Sequence, residues 1–185
     1  MINLGNIIRL VSLGVIGAAI IHIAILLLVP VYSDTNAWGR IEDATEPYRF
    51  HRLDNNNSPI GGHDPLFVEA TCRFDLSDGP THITAQGVVP YWSLSVYGPN
   101  GDNLYSINDS VSNERKLDLI IADPLGMANL KAGSFGNAPP SLTVEQNIGE
   151  GAVIVRVFTP DTSWQTQVQH FFDSMKCLSL DDSAG

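Results

Sequence analysis

The sequence predicts a mainly β protein: an N-terminal transmembrane helix, then a β-sandwich-like domain with a short helix and a C-terminal amphipathic helix. Three observations carry that expectation. Leu10 to Val29 is an apolar run without a charged side chain, Ser12 and His22 being its only appreciably polar residues, and is bounded by Arg9 and Pro30. Beyond Pro65, apolar and polar residues alternate in short runs separated by Gly, Pro and Asn, the period-two pattern of half-buried strands. Near the end, Trp164, Val168, Phe171, Phe172 and Met175 fall on one face of a helix. The expected layout is an anchor at 1–30, a linker at 31–64, a β domain at 65–180 and a disordered tail at 181–185.

The anchor comes first. Roughly 20 helical residues cover the ~30 Å hydrocarbon core of a bilayer. A cleaved signal peptide has a shorter apolar region and a small-x-small site, and here Thr35-Asn36-Ala37 matches such a site poorly. An uncleaved signal anchor therefore fits better. Arg9 before the run and Asp34 after it place the N-terminus in the cytoplasm and the domain across the membrane as a single-pass protein, with Arg40, Arg49 and Arg52 following on the far flank as the counterweight. Gly14 and Ala18 make a small-xxx-small pair, and His22 is the one ionisable group in the span.

The linker holds turn chemistry at Asn55-Asn56-Asn57-Ser58-Pro59 and Gly61-Gly62. Strands are then expected at Phe67 to Leu76, His82 to Val89, Tyr91 to Tyr97, Asn103 to Asn108 and Lys116 to Ala122. Gly98-Pro99-Asn100-Gly101-Asp102 joins the third to the fourth as a hairpin. Asp123-Pro124 reads as an N-cap followed by proline in the first turn of a short helix ending near Lys131, and Ala132 to Pro140 as a loop. Leu142 to Asn147 and Ala152 to Thr159 are expected to form a second hairpin. The last helix should run from Thr162 to Cys177, with Thr162 and Gln165 as a capping box.

Cys72 and Cys177 can close one disulfide if the domain is exported, across a loop of about 105 residues worth ~4–5 kcal/mol by chain entropy. Otherwise they pack as two small buried thiols. Ten Lys and Arg stand against twenty Asp and Glu, a net charge of −10. That balance repels phosphate backbones, so nucleic-acid binding is not expected.

Catalytic signatures are sparse. There is no G-x-S-x-G, no P-loop and no dinucleotide fingerprint, and the five histidines stand apart without metal-ligand spacing. No catalytic set, metal or cofactor is expected. The one patch that stands out is the outward face of the first hairpin, small and polar at Ser93 and Ser95, with Tyr105, Asn108 and Asp109 on or after its return strand. These five residues are the candidate binding site. The competing expectation is that Asn108 and Asp109 make a turn and the serines face solvent.

The strings Tyr91-Trp92-Ser93-Leu94-Ser95-Val96-Tyr97 and Tyr105-Ser106-Ile107-Asn108-Asp109 carry a resemblance, together with Cys72-Arg73-Phe74-Asp75-Leu76 and Val155-Arg156-Val157-Phe158-Thr159-Pro160-Asp161. They resemble DUF1254 proteins, in the short membrane-anchored form of alphaproteobacteria. The resemblance implies a bacterial inner-membrane protein with its domain in the periplasm, and a β-rich domain that longer relatives join to a DUF1214 domain. A separate DUF1214-type protein is thus the implied partner, with a homo-oligomer as the other arrangement. It supplies no catalytic residues. The function expected is an envelope-associated interaction module, against a periplasmic enzyme or small-molecule binder using the hairpin face.

Overall fold

A computed structural model describes residues 3–53, 64–112, 115–133 and 142–180, with backbone alone at 30–37. The chain divides into two units, Met1–Ala37 and Trp38–Gly185. The Asn55–Ser58 turn, His63 and the tail at 181–185 lie outside the described residues, as does most of the loop expected up to Pro140.

Helix α1 (Leu4–Ala44) contains one segment, Leu4–Val29, long and apolar enough to cross a membrane or to act as a signal sequence. Its apolar side chains are exposed, as a lipid-facing or partner-facing surface requires. The helix does not stop at Pro30, where the sequence suggested an end. Its last turns belong to the second unit and are fixed there. Ile41 is buried, the Thr45 hydroxyl donates to the Ile41 carbonyl at 2.6 Å, and Glu42 pairs with Arg73 at 3.0 Å. The expected linker therefore holds regular structure at both its start and its middle, where β1 (His51–Leu53) pairs with the first long strand.

The second unit is two sheets. The remaining strands are β2 (Phe67–Asp75), β3 (Thr81–Ala85), β4 (Trp92–Tyr97), β5 (Asn103–Asn108), β6 (Leu117–Ala122), β7 (Leu142–Glu145), β8 (Glu150–Phe158) and β9 (Lys176–Ser179). One sheet runs β1-β2-β8-β4-β5, all antiparallel, and the other runs β7-β6-β3-β9. Their inward faces share one core, built from Cys72, Phe74, Leu94, Val96, Val153 and Val155 on one side and Ile83, Leu119 and Ile121 on the other. In β4 the expected alternation is exact in burial: Trp92, Leu94 and Val96 inside, Ser93, Ser95 and Tyr97 half-buried outside.

Three local expectations are corrected. First, β7 and β8 are not a hairpin. β7 pairs parallel with β6, whereas β8 enters the other sheet between β2 and β4. The physical reason is that β8 carries a nine-residue strand that satisfies two antiparallel neighbours, while the four-residue β7 buries only Val144 and completes an edge. Residues 146–149 cross between sheets, tied at each end by Gln146 N–H to the Ala122 carbonyl and Leu76 N–H to the Gly149 carbonyl, both 2.9 Å.

Second, the C-terminal helix is shorter than expected. A 3-10 turn (Thr162–Trp164) leads into α3 (Gln165–Asp173), which buries Val168, Phe171 and Phe172. The N-terminal cap is Asp161, which accepts from Ser163 N–H at 2.8 Å, so the Thr162/Gln165 box is not used. Ser174 ends the helix. Its hydroxyl bonds to both N–H and C=O of Gln86, each at 2.8 Å, and the chain turns into β9 beside β3.

Third, Cys177 is not on the last helix, where the sequence placed it. Cys72 and Cys177 are joined, with Cα atoms 6.6 Å apart, and both are fully buried. Because Cys177 sits on β9 and not on the helix, the bond staples sheet to sheet, β2 to β9. The short helix α2 (Pro124–Lys131) follows its expected cap closely: the Asp123 carboxylate accepts from Gly126 N–H at 2.6 Å.

Candidate functional site

The first hairpin positions the candidate residues. Its turn closes with Gly98 N–H donating to the Asp102 carbonyl at 3.0 Å, and Gly101 takes φ +82, a conformation only glycine adopts cheaply. Register places Ser93 opposite Asn108, Leu94 opposite Ile107, Ser95 opposite Ser106 and Val96 opposite Tyr105. Directly opposed residues share a face. Leu94, Ile107, Val96 and Tyr105 therefore point to the core, and Ser93, Ser95, Ser106 and Asn108 point outward. A register shift at Val96/Tyr97 leaves Leu104 unpaired as a bulge.

The outward face is uncharged here and charged next door. On the adjoining strands, Arg156 Nε donates to Glu69 at 2.7 Å and its guanidinium lies 4.6 Å from the Phe67 ring centroid. On the hairpin, Ser95 and Ser106 hydroxyls bond at 2.9 Å, and the Asn103 amide donates to Ser106 Oγ at 3.0 Å. At the free edge of β5 lies an open hollow of 370 Å³ lined by Tyr91, Ser93, Tyr105, Ser106, Ile107, Asn108, Val111 and Leu142. Three of the five sequence candidates thus converge: Ser93, Tyr105 and Asn108. Ser95 stands one step away, tied to the hollow through Ser106.

Asp109 does not belong to this site. It is 3% exposed, its N–H donates to the Trp92 carbonyl at 3.1 Å, and its carboxylate is clamped by Arg115, whose Nε lies 2.8 Å away. Arg115 also donates to the Pro90 carbonyl and accepts the Trp92 indole N–H at 2.7 Å through its own carbonyl, held at φ +59. The pair is a structural buckle. Asn108 makes the expected turn as well, its side-chain oxygen accepting from Ser110 N–H at 3.0 Å.

Two further hollows were not legible in the sequence. The larger, 660 Å³, lies between β1 and α3 and is lined by residues including Arg52, Val68, Thr159, Gln165, Gln169, His170 and Asp173. Its polar groups bond to one another: Arg52 donates to Gln169 Oε1, and Gln169 donates to Asp173 at 2.7 Å. No local signal could have found it, because it joins segments more than a hundred residues apart. The smaller, 190 Å³, gathers Glu42, Arg73, Asp75, Asp78 and Glu150. Beside it the Tyr48 hydroxyl contacts the Asp75 carbonyl at 2.6 Å and Asp78 Oδ2 at 3.0 Å. Burial, reinforced by Asp78, pushes the Tyr48 phenol well above its ordinary value, so it stays protonated as a donor.

Among the described residues no group of three or more His, Cys, Asp and Glu is placed to hold a metal ion. His82 bonds Asp118 at 2.8 Å and His51 accepts from Glu46 N–H at 3.0 Å, each in a separate place.

Fold and hairpin together define a two-sheet β domain behind a long apolar helix. No family model and no curated protein sequence matches the chain. In structure it is similar to the VPA0106 protein from Vibrio parahaemolyticus, with a TM-score of 0.60 at 13% identity over 83% of this chain. The chain spans only 37% of that protein's length, and the likeness is one of fold alone. An uncharacterised protein from Burkholderia cenocepacia aligns with a TM-score of 0.44 at 14% identity, over 71% of this chain and 38% of its own.

Proposed function

We propose that the chain is an anchored interaction module of DUF1254 type. It is held in a bacterial inner membrane by α1 with its N-terminus cytoplasmic, and its β domain docks a separate polypeptide in the periplasm. The carrying observation is the neutral outward face of β4 and β5, an uncharged strip on a chain of net charge −10. Desolvating small hydroxyls and amides costs far less than desolvating charge, so this strip suits protein contact. The apolar Leu4–Val29 helix supports anchorage, and the buried disulfide supports an oxidising compartment. In the Vibrio protein the part that shares this fold is 37% of a longer chain, and together with the DUF1254 resemblance this favours a larger assembly here, with a DUF1214-type protein as the candidate partner.

The test is mild crosslinking in the native membrane, affinity purification of the full-length chain and mass spectrometry. A stoichiometric β-rich membrane partner, lost on Ser93→Arg/Ser95→Arg substitution, supports the module. Recovery without a partner overturns it. A second reading, a small-molecule site, draws on the convergence of Ser93, Tyr105 and Asn108 at the 370 Å³ hollow. A ligand that protects these three residues in chemical-shift mapping would establish it.

A further inference from the structure

Four strands form the edges of the two sheets: β1, β5, β7 and β9. Exposed edges invite pairing with other chains, and proteins blunt them with charge, proline, bulges or short length. β1 is three residues long and carries Arg52, β7 carries Glu145, and β9 carries Lys176. β5 reads Asn-Leu-Tyr-Ser-Ile-Asn, without charge or proline, and its bulge at Leu104 leaves Tyr105 to Asn108 in regular register. Among the described edges, β5 alone lacks a charged guard.

The direction of its free groups follows from the ladder. Asp109 N–H bonds the Trp92 carbonyl, one register step beyond the Ser93–Asn108 pair. Bonding alternates along an antiparallel ladder. Ile107 and Tyr105 therefore bond to β4, and Ser106 and Asn108 turn their backbone groups outward. The Asn108 carbonyl is taken by Val111 N–H at 3.3 Å. Among the described residues, Ser106 is left presenting both an N–H and a C=O at the centre of the edge.

We propose that β5 pairs antiparallel with β5 of a second copy of this chain, about a two-fold axis through Ser106. The two Ser106 residues would exchange both backbone hydrogen bonds. Tyr105 would then oppose Ile107 of the second copy on the core side, and Ile107 its Tyr105, two aromatic–β-branched pairs of the kind that stabilise sheets. Both side chains are only half-buried in the single chain and already pack against its core. Val111 and Leu142, 63% and 37% exposed on the same hollow, gain cover. A two-fold axis brings each side chain on it against its own image, so a charge at the centre of the edge would meet a like charge, and Ser106 brings none. The sequence of β5 is also its own match about Ser106, setting Tyr105 against Ile107 twice over, and that self-complementarity selects a second copy. The regular ladder is short, and confinement of anchored copies to one membrane would raise their effective concentration. The outward face proposed for the partner stays open, so this inference stands or falls separately.

The experiment uses the full-length chain in lipid nanodiscs and in detergent. Native mass spectrometry should find the wild type as a dimer. Ser106→Cys should crosslink to a covalent dimer on mild oxidation, because Cα atoms in such a bonded pair are about 5.5 Å apart, within disulfide reach. Tyr97→Cys, on the same face at the far end of β4, should not. Ser106→Asp and Ser106→Arg, at an exposed position, should each weaken the dimer at least tenfold, and mixing the two should restore it. A monomeric wild type overturns the proposal. So does a dimer that survives Ser106→Asp, which moves the contact to the anchor, and so does capture by Ser106→Cys of a different polypeptide.

Discussion

Removing the disulfide should cost this domain a large part of its stability. The perturbation is reduction, or the double substitution Cys72→Ala/Cys177→Ala. The bond closes a loop with a sequence separation of 105. Chain entropy then gives about 4.7 kcal/mol at 25 °C, the stabilisation expected for a loop of roughly 100 residues. Two further terms bear on it. Reduction leaves two thiols in a core that is already dry at both positions, and small buried thiols are well tolerated there. The alanine pair instead adds a cavity cost, so it should be the more damaging of the two. A domain is typically stable by only about 5–15 kcal/mol, so the loss is a third of the total or more. For a domain of this size it lowers the melting temperature by on the order of 15 °C. The assay is urea unfolding of the full-length chain in detergent, followed by tryptophan fluorescence, with and without reductant. The slope against urea should also rise on reduction, because the unlinked unfolded chain exposes more surface. A loss below about 1 kcal/mol with an unchanged slope would refute the reasoning, since it would mean that the two sheets hold their relation without the staple.

Three other outcomes follow from the geometry. Arg115→Ala removes the exposed cation that covers the buried Asp109 carboxylate and should cost about 1–3 kcal/mol in denaturant unfolding, whereas Ser93→Ala should stay within about 0.5 kcal/mol. Gly151→Ala puts a Cβ 2.5 Å from Cζ of the fully buried Phe74 ring, so overpacking should lower stability by about 1–3 kcal/mol, read the same way. Tyr48, whose phenol is raised by burial, contributes stability that is fully present below its unfolded value near 10 and is lost as pH climbs toward the higher folded value. Ultraviolet titration should therefore find one tyrosine ionising late and together with unfolding, and Tyr48→Phe should remove that alkaline step.

What the sequence carried about the fold was mostly what is local. The alternation in β4, the turn at Gly98–Asp102 and the Asp123 cap depend on neighbours within a few residues, and each is found where the pattern places it. The failures share a cause. Leu142–Glu145 and Glu150–Phe158 have hairpin spacing, yet their partners, β6 on one side and β2 and β4 on the other, are distant in sequence. A four-residue strand such as β9 is invisible behind a helical stripe because Met175 and Cys177 continue the apolar pattern at either period. Likewise α1 runs past a proline because its end is fixed by burial of Ile41 in a domain whose pairing the local sequence does not announce.

The site was legible in the same proportion. Ser93, Tyr105 and Asn108 are brought to one hollow because strand alternation and hairpin register are local rules. Asp109 escaped them. Its role depends on Arg115, six residues on across a turn, and on Trp92 and Pro90 from the preceding strand and its approach, so a carboxylate that reads as an exposed ligand is a buried clamp. That clamp matters to the edge as well. It fixes the end of β5 against Trp92, and with it the phase that turns Ser106 outward and Ile107 inward. A one-residue slip of β5 would reverse both, turning the Tyr105 and Ile107 side chains out of the core. The pair of buried Asp109 and exposed Arg115 therefore helps set the register on which the neutral edge depends. Loosening it should blur that edge before it unfolds the domain.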